Sequence, residues 1–394
     1  MKTVGIICEY NPFHLGHMGH IKKTRQILGS DAAVVCVMSG NFVQRGDFAL
    51  FNKHARAKTA VLSGADLVIE LPTPYVLRSA EGFAGAGVFI LNNLGICDHL
   101  SFGSESGDIQ KLGEAADMII KDNAQELTRE WLKKGISYAA AQQKAADEIL
   151  GENAAVFAAP NNVLGIEYIK ALKKYNSTMK PITVKRTGGE HDSNTGYSAS
   201  NLRMRFLNGK YPETLMPEDA FNTCKEELAS GRGPVSIKYA EQAILARLRA
   251  IKDFENIPGS SEGLERRFKR YAANESSLAA ILNGIKTKRY PMSRLQRMLV
   301  CAALGISNDY SKSDPPYARI LALNPAGMDL LSKIRKKAKI PVITKPASIY
   351  KLDDESIKLF ELEAAATDLY VLAYRNEEER RGGQEWRKSP VVID

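Results

Sequence analysis

Residues 4–20, VGIICEYNPFHLGHMGH, constrain this chain more than any other stretch. Val4-Gly5-Ile6-Ile7 is an apolar, β-branched run of the kind that fills a buried parallel strand. Glu9-Tyr10-Asn11-Pro12 breaks it as a turn cluster, and Phe13-His14-Leu15-Gly16-His17 leads into a helical stretch through Arg25. A strand, a tight loop and a helix start leave free backbone N–H groups and the positive end of the helix dipole facing the loop, which suits phosphate. His14 and His17 are three apart and share one face of the first turn. Gly16 between them leaves room for a close backbone approach. Two imidazole donors at such a place can hold nucleotide phosphates and stabilise the charge that grows as pyrophosphate leaves.

Two plainer readings compete. His14, His17 and His20 at i, i+3 and i+6 also suit a metal, but no cysteine or carboxylate cluster sits beside them. Ordinary surface histidines are the other, against which stands the concentration of three of the chain's six histidines within residues 14–20.

At 394 residues the chain exceeds one typical core and predicts at least two domains. A formal net charge of +9 favours an anionic macromolecular partner without separating RNA from DNA or a membrane surface. The five cysteines are scattered and odd in number, which argues against a disulfide framework and fits a reduced cytoplasm. Met1-Lys2-Thr3 runs straight into the first strand with no signal peptide expected. No apolar stretch reaches the roughly 20 residues of a membrane span, so no membrane partner is expected.

Residues 32–38, 65–71, 98–102 and 181–186 read as further strands. Between them lie helices at 52–63 and 79–91, a pair over 109–150 broken at Gly135, and one at 160–174. This alternation predicts an α/β fold, a Rossmann-like parallel sheet covered on both faces. Ligands of such sheets bind beyond the carboxyl ends of the strands, so Ser39-Gly40-Asn41, Gly103-Ser104-Glu105 and Arg186-Thr187 should face the crevice of His14. The loop with Ser39, Asn41, Gln44 and Arg45 is placed at the acceptor pocket. Gly103 can admit a base or ribose, or be a plain turn glycine. Asn161 or Asn162 can cap the following helix, and Arg186 can pair with phosphate. Lys53, Arg56 and Lys58 read equally well as a solvated helix face. There is no G-x-G-x-x-G fingerprint and no P-loop, which excludes a hydride-transfer dinucleotide site and a P-loop enzyme.

From residue 212 helical patterns dominate, at 240–249, 263–273 and 277–285. The division predicted is therefore a catalytic domain over 1–210 and a mainly helical, basic domain over 211–394. Residues 286–297 carry Lys286, Lys288, Arg289, Arg294 and Arg297, with Ser293 as a candidate cap for the next helix. Cations at a helix start oppose its dipole, so contact with nucleic-acid phosphate explains them better than stability does. A second basic run, 333–339, closes a helix where the dipole welcomes it. A short strand at 341–344 and a helix at 360–374 follow, and the last twenty residues read as exposed and mobile.

His14-Leu15-Gly16-His17 resembles the HxGH signature of the nucleotidyltransferase superfamily. The longer string from Glu9 to His17 resembles the start of the bacterial tRNA(Met) cytidine acetate ligases, and MSGNFVQRG, FGSE, PNNVLG and KTKRYPMSRLQR are similar to that family too. The resemblance implies an ATP-dependent ligase that activates acetate as acetyl-adenylate, releases pyrophosphate, and forms N4-acetylcytidine at the wobble cytidine of elongator tRNA(Met). It implies His14 and His17 as catalytic residues. It implies an ATP site from Ile7, Cys8, Glu9, Tyr10, Asn11, Pro12, Phe13, His14, Leu15, Gly16, His17, Met18, Gly19 and His20, with Gly103, Asn162, Arg186 and Thr187. The superfamily's hydroxyl-rich ISTSxxR-like segment is matched by Ser198, Ser200 and Arg203, with Asn201 in place of a hydroxyl residue. Mg²⁺ would accompany the triphosphate, although no carboxylate identifies itself as its ligand. Tyr290 or Phe42 is a candidate to stack a splayed base. A small-molecule adenylyltransferase and a non-catalytic RNA-binding protein are the rivals; the basic helical half opposes the first, and intact His14 and His17 oppose the second.

Overall fold

The computed structural model describes residues 2–186, 198–261 and 263–394. The chain opens with β1 (Thr3–Cys8), α1 (Leu15–Leu28), β2 (Ala33–Ser39), a hairpin of β3 (Phe42–Val43) and β4 (Asp47–Phe48), and α2 (Lys53–Leu62). It continues through β5 (Leu67–Leu71), α3 (Thr73–Val76), α4 (Ala80–Asn93) and β6 (His99–Ser104). Four helices follow, α5 (Ile109–Ile120), α6 (Asp122–Lys133), α7 (Tyr138–Leu150) and α8 (Pro160–Lys174), before β7 (Lys180–Lys185). The helical run comprises α9 (Ala199–Leu207), α10 (Glu218–Ala229), α11 (Glu241–Ala250), α12 (Leu264–Asn274), α13 (Leu278–Ile285) and α14 (Met292–Leu304). The chain ends with β8 (Ala318–Leu323), α15 (Pro325–Lys337), β9 (Val342–Ile343), α16 (Asp354–Val371), α17 (Gln384–Arg387) and β10 (Val391–Val392).

The main sheet has the order β10-β8-β5-β2-β1-β6-β7, with β9 beside β8. Strands β1, β2, β5, β6 and β7 are parallel, and β8 runs antiparallel to β5. From β1 the chain builds outward through β2 and β5, then returns to lay β6 and β7 on the other side. The switch point therefore falls between β1 and β6, where an open α/β sheet leaves a crevice at its carboxyl edge.

Alternation along the strands sorts the core into two faces. Val4, Ile6, Val34, Cys36 and Met38 join the core that includes α2, α9 and α10. Ile7, Val35, Val37 and Leu71 join the core of α4, α5 and α8. Helix α4 lies close to β1: a Cβ on Gly5 would sit 2.5 Å from Leu91 Cδ1, and one on Gly87 would sit 2.7 Å from Ile7 Cδ1. A third core gathers α11–α14 and part of α16.

Several expectations are corrected here. Strands β8, β9 and β10 lie beyond residue 212, so a line at residue 210 does not part the sheet from the helices. The 109–150 segment forms three helices, because a second break falls at Lys121. Helix α14 begins at Met292, which puts Ser293 inside its first turn and leaves Pro291 at the cap. The last twenty residues are largely exposed, as expected, yet they are tied to the fold: Glu385 is buried, the Trp386 ring packs 4.6 Å from that of Phe360, and β10 pairs with β8. Lys53 and Arg56 are not solvated; both are 1% exposed. Lys53 Nζ donates to Glu70 Oε1 at 2.6 Å and to Glu385, which also accepts from Arg319.

Candidate active site

His14 is the N-cap of α1 and His17 its third residue. The Nδ1 of His14 accepts from the Gly16 amide at 3.0 Å, and the Nδ1 of His17 accepts from the His14 amide at 3.3 Å. This is a reciprocal capping box built from two imidazoles. The spacing of three is thus what the box requires, and the rings stack with centroids 3.7 Å apart. Because each Nδ1 accepts, each neutral ring carries its proton on Nε2. Burial, then the Arg186 charge, lowers His14 to about 4. Burial, then the His14 charge, holds His17 well below its usual value. The pair offers two neutral Nε2–H donors at the positive end of a helix dipole. A Cβ on Gly16 would lie 2.9 Å from the His14 ring, so glycine is what lets that ring fold over the helix.

His20 turns elsewhere. Its Nε2 lies 2.9 Å from Ser101 Oγ on β6, which lies 2.8 Å from Thr24 Oγ1. Burial, then Arg186, lowers its pKa to about 4. Among the described residues no three His, Cys, Asp or Glu side chains converge as a metal site would need.

The loop before α1 is rigid scaffolding. Tyr10, Asn11 and Phe13 are buried. Tyr10 takes a left-handed φ of 45°, a conformation that costs a non-glycine residue about 1–2 kcal/mol. Its ring packs edge-on to Phe13 at 4.7 Å, and its hydroxyl lies 3.5 Å from Cys36 Sγ. The Asn11–Pro12 bond is cis. Asn11 Oδ1 accepts from the Leu50 amide at 2.7 Å, and its carbonyl accepts from Arg203 Nη1 at 2.9 Å. Burial pushes the Cys8 thiol up. Ile7 faces the α4 core, Gly16 is exposed, and Leu15, His17, Met18 and Gly19 are half-buried, Met18 against the α2 core.

At the far side of the switch point, Gly103 sits in β6, where a Cβ would lie 3.3 Å from the Arg186 stem. Arg186 is exposed, and its charge is felt by His14, His17 and His20 alike. The FGSE and PNN strings clasp each other. Asn162 Oδ1 accepts from the Glu105 and Ser106 amides at 3.0 and 3.1 Å, and Glu105 Oε2 accepts from the Asn162 amide at 2.9 Å. Neither Asn161 nor Asn162 caps α8, whose N-cap is Ala159. Ser198 caps α9 by accepting from the Asn201 amide at 3.2 Å, and Arg203 Nη2 donates to Ser200 Oγ at 3.1 Å. Thr187, with the rest of 187–197, lies outside the described residues.

Loop 39–48 touches this site through buried groups. Ser39 and Asn41 are both buried; Asn41 Oδ1 accepts from the Lys53 amide at 2.9 Å, and its Nδ2 donates to Thr367 Oγ1 at 3.1 Å. The Gln44 amide donates to Glu9 Oε1 at 2.7 Å, and Arg45 is exposed. Sequence reasoning named Arg56 but missed its role: its guanidinium donates to the carbonyls of Glu9, Ser39, Gly40 and Phe51 and so ties the ends of β1 and β2 together. Its only sequence signal is a position beside Asn52, the cap of α2.

Further off, Lys286 and Lys288 are exposed, and Arg289 is half-buried. Arg294 donates to Gly259 O and Ser261 Oγ, its guanidinium 5.1 Å from the Tyr290 ring centre. Phe42 and Tyr290 are buried, 0% and 6% exposed, so neither ring is free to stack a base: Phe42 packs on Phe48 and both join the helical core.

A parallel sheet, a switch-point crevice and a capped histidine pair define a nucleotidyltransferase site. Residues 1–385 match the family model described as HIGH Nucleotidyl Transferase. The chain is 39% identical over 416 residues to the tRNA(Met) cytidine acetate ligase of Acetivibrio thermocellus, covering all of both. It is 39% identical over 403 residues to that of Caldicellulosiruptor saccharolyticus, covering 100% of this chain and 99% of the relative. The crystal structure of Thermotoga maritima TmcAL bound with alpha-thio ATP superposes with a TM-score of 0.92 at 33% identity, over the whole of both chains. This chain belongs to the family of tRNA(Met) cytidine acetate ligases.

Proposed function

We infer that this chain is an ATP-dependent ligase that joins acetate to a cytidine of tRNA(Met), and that it adenylates acetate against His14 and His17. The observation that carries this reading is the His14–His17 pair, capped and neutral at the start of α1. Similarity to the named relatives over the full chain supports it.

Acetate is a poor acyl donor until one oxygen belongs to a good leaving group. In the first step that oxygen attacks the α-phosphorus of ATP, and the bond to pyrophosphate breaks. Such a transfer needs in-line positioning and charge neutralisation rather than covalent catalysis. The two Nε2–H donors stabilise the transferring phosphate and the departing pyrophosphate, and Arg186 and Arg203 add positive charge. Gly103 and Asn162 frame the adenosine, and loop 39–45 borders the acceptor. In the second step the N4 amine of the wobble cytidine of elongator tRNA(Met) attacks the acetyl carbonyl. AMP leaves with the electron pair, and the amine gives up a proton. Mg²⁺ belongs to this reading as the triphosphate's counter-ion, held largely by phosphate and water; no side chain of the described residues is assigned to it.

The 1–210 part carries adenylation, and the helical body of the 211–394 part grips the tRNA, Lys286, Lys288, Arg289, Arg294 and Arg297 contributing charge. Among the described residues no helix is long and apolar enough to cross a membrane, and a tRNA substrate supports a cytoplasmic setting. The test is ATP–pyrophosphate exchange with and without tRNA. Exchange that depends on acetate is expected. Its absence in both conditions overturns the reading and directs attention to adenylyl transfer onto phosphorylated metabolites.

A further inference from the structure

A cleft of about 850 Å³ opens between the two halves of the chain, away from the histidine pair. One wall is the start of α4 and the end of α8; the other is α14 with residues 311–314. Seven cations and three carboxylates line it. Lys170 is answered by Glu81 and Glu167 at 3.2 and 2.9 Å, and Lys173 by Asp117. Asp314 accepts from the Tyr175 hydroxyl at 2.7 Å, and its charge acts on Arg78. The remaining five, Arg78, Lys174, Arg294, Arg297 and Lys312, make no ion pair among the described residues. They come from both walls, so the excess charge faces itself across the gap.

Such an arrangement costs stability unless a polyanion fills it. Burial pushes the Arg297 guanidinium below its ordinary value, Cys301 raises it, and Arg294 on the same helix lowers it further. Gly85 leaves part of the floor open, since a Cβ there would meet nothing nearer than 3.9 Å, whereas the Arg78 side chain lies over Gly82, where a Cβ would be 2.6 Å from the Arg78 Cβ.

The cleft is joined to the acceptor loop at two points. Gln44 donates through Nε2 to the Arg78 carbonyl at 3.1 Å while its amide holds Glu9. Gly46, at a φ of 77°, packs so closely on α14 that a Cβ would lie 2.4 Å from the Arg297 amide nitrogen. A polyanion gripped between Lys174 and Arg297 is thereby held in register with the loop before α1.

We propose that this cleft takes the sugar-phosphate backbone of the tRNA, so that the nucleotide-binding half shares the grip with the helical half. The identity of the RNA rests on the ligase reading; the charge and shape of the cleft do not. Lys174 and Lys312 stand on opposite walls and are both exposed, so they can be changed without disturbing the core.

The experiment compares K174E/K312E with K333E/K336E, which makes the same charge change on exposed α15 residues outside the cleft. Binding of a tRNA(Met) transcript is measured across a salt series, alongside acetate-dependent ATP–pyrophosphate exchange without tRNA. The cleft variant is expected to bind at least about tenfold more weakly, with a salt slope shallower by about one to two, while retaining exchange and melting temperature. Equal binding by the cleft variant and the unaltered protein overturns the proposal, as does an equal loss in K333E/K336E. Absence of exchange in the unaltered protein counts against the ligase reading instead, and the binding comparison still decides the cleft.

Discussion

A histidine that caps a helix through Nδ1 has only Nε2 left for chemistry, so on the proposed reading His14 carries a structural and a chemical duty on different atoms. Asparagine separates them, because it is among the best caps yet lacks the far nitrogen. His14→Asn is expected to keep its melting temperature within a few degrees and to lose acetate-dependent exchange by at least about 100-fold. Exchange within a few-fold of the unaltered protein would remove His14 from the chemistry. The same ring sets a pH dependence. Unfolded, it takes its proton near 6.5; folded, at about 4. Between those values the unfolded chain holds more protons. The stabilising effect of the neutral ring is therefore complete above pH 6.5 and is lost as the pH falls towards 4, by on the order of 3 kcal/mol. Urea unfolding at pH 7.5 and 4.5 checks this, with a smaller drop expected in His14→Asn. The histidine pair was legible in the sequence because its partners lie within three residues.

At the scale of elements legibility falls off with the sequence distance of the partners. Helix α2 reads as KHARAKTAVL, a charged helix that periodicity assigns to solvent. It is buried because Lys53 meets Glu70 and Glu385, and because Arg56 reaches four carbonyls on the turns after β1 and β2 and before α2 itself. No local pattern announces a carboxylate 332 residues away. Strand β8, ARILAL, was missed for another reason: it is buried at every position, Arg319 included, and so short a run has no period to separate strand from helix. Arg56 also yields a prediction. Lysine keeps the charge but cannot present a planar fork to several acceptors. Arg56→Lys should lose about 3 kcal/mol in urea unfolding, because buried carbonyls are left without donors. Unchanged stability would mean that β1 and β2 are held together by the sheet alone.

Across the whole molecule the acceptor loop belongs to both halves. Its Phe42 and Phe48 sit in the helical core, the Tyr370 hydroxyl of α16 donates to Ala49 O at 2.8 Å, and Asn41 bonds Thr367. On the proposed reading, this packing fixes RNA gripped by the helical body relative to His14, with no hinge needed between grip and chemistry. Arg294 and Arg297 of the basic stretch line the cleft from α14, and their counterparts on α8 went unread because Lys173-Lys174 at a helix end look ordinary. The proposed division of labour makes the two functions separable by mutation. Lys288→Ala with Arg289→Ala should weaken tRNA binding by about tenfold and flatten its salt slope by about one to two, with exchange intact. His14→Ala should do the reverse, abolishing exchange while binding tRNA as before, since the capping defect costs only about 1 kcal/mol in a helix packed against the sheet. Filter binding and exchange on the same preparations give the comparison. Equal loss of both activities in both variants would mean that adenylation and RNA binding share one surface, and that the helical body acts by completing the ATP site rather than by holding the tRNA.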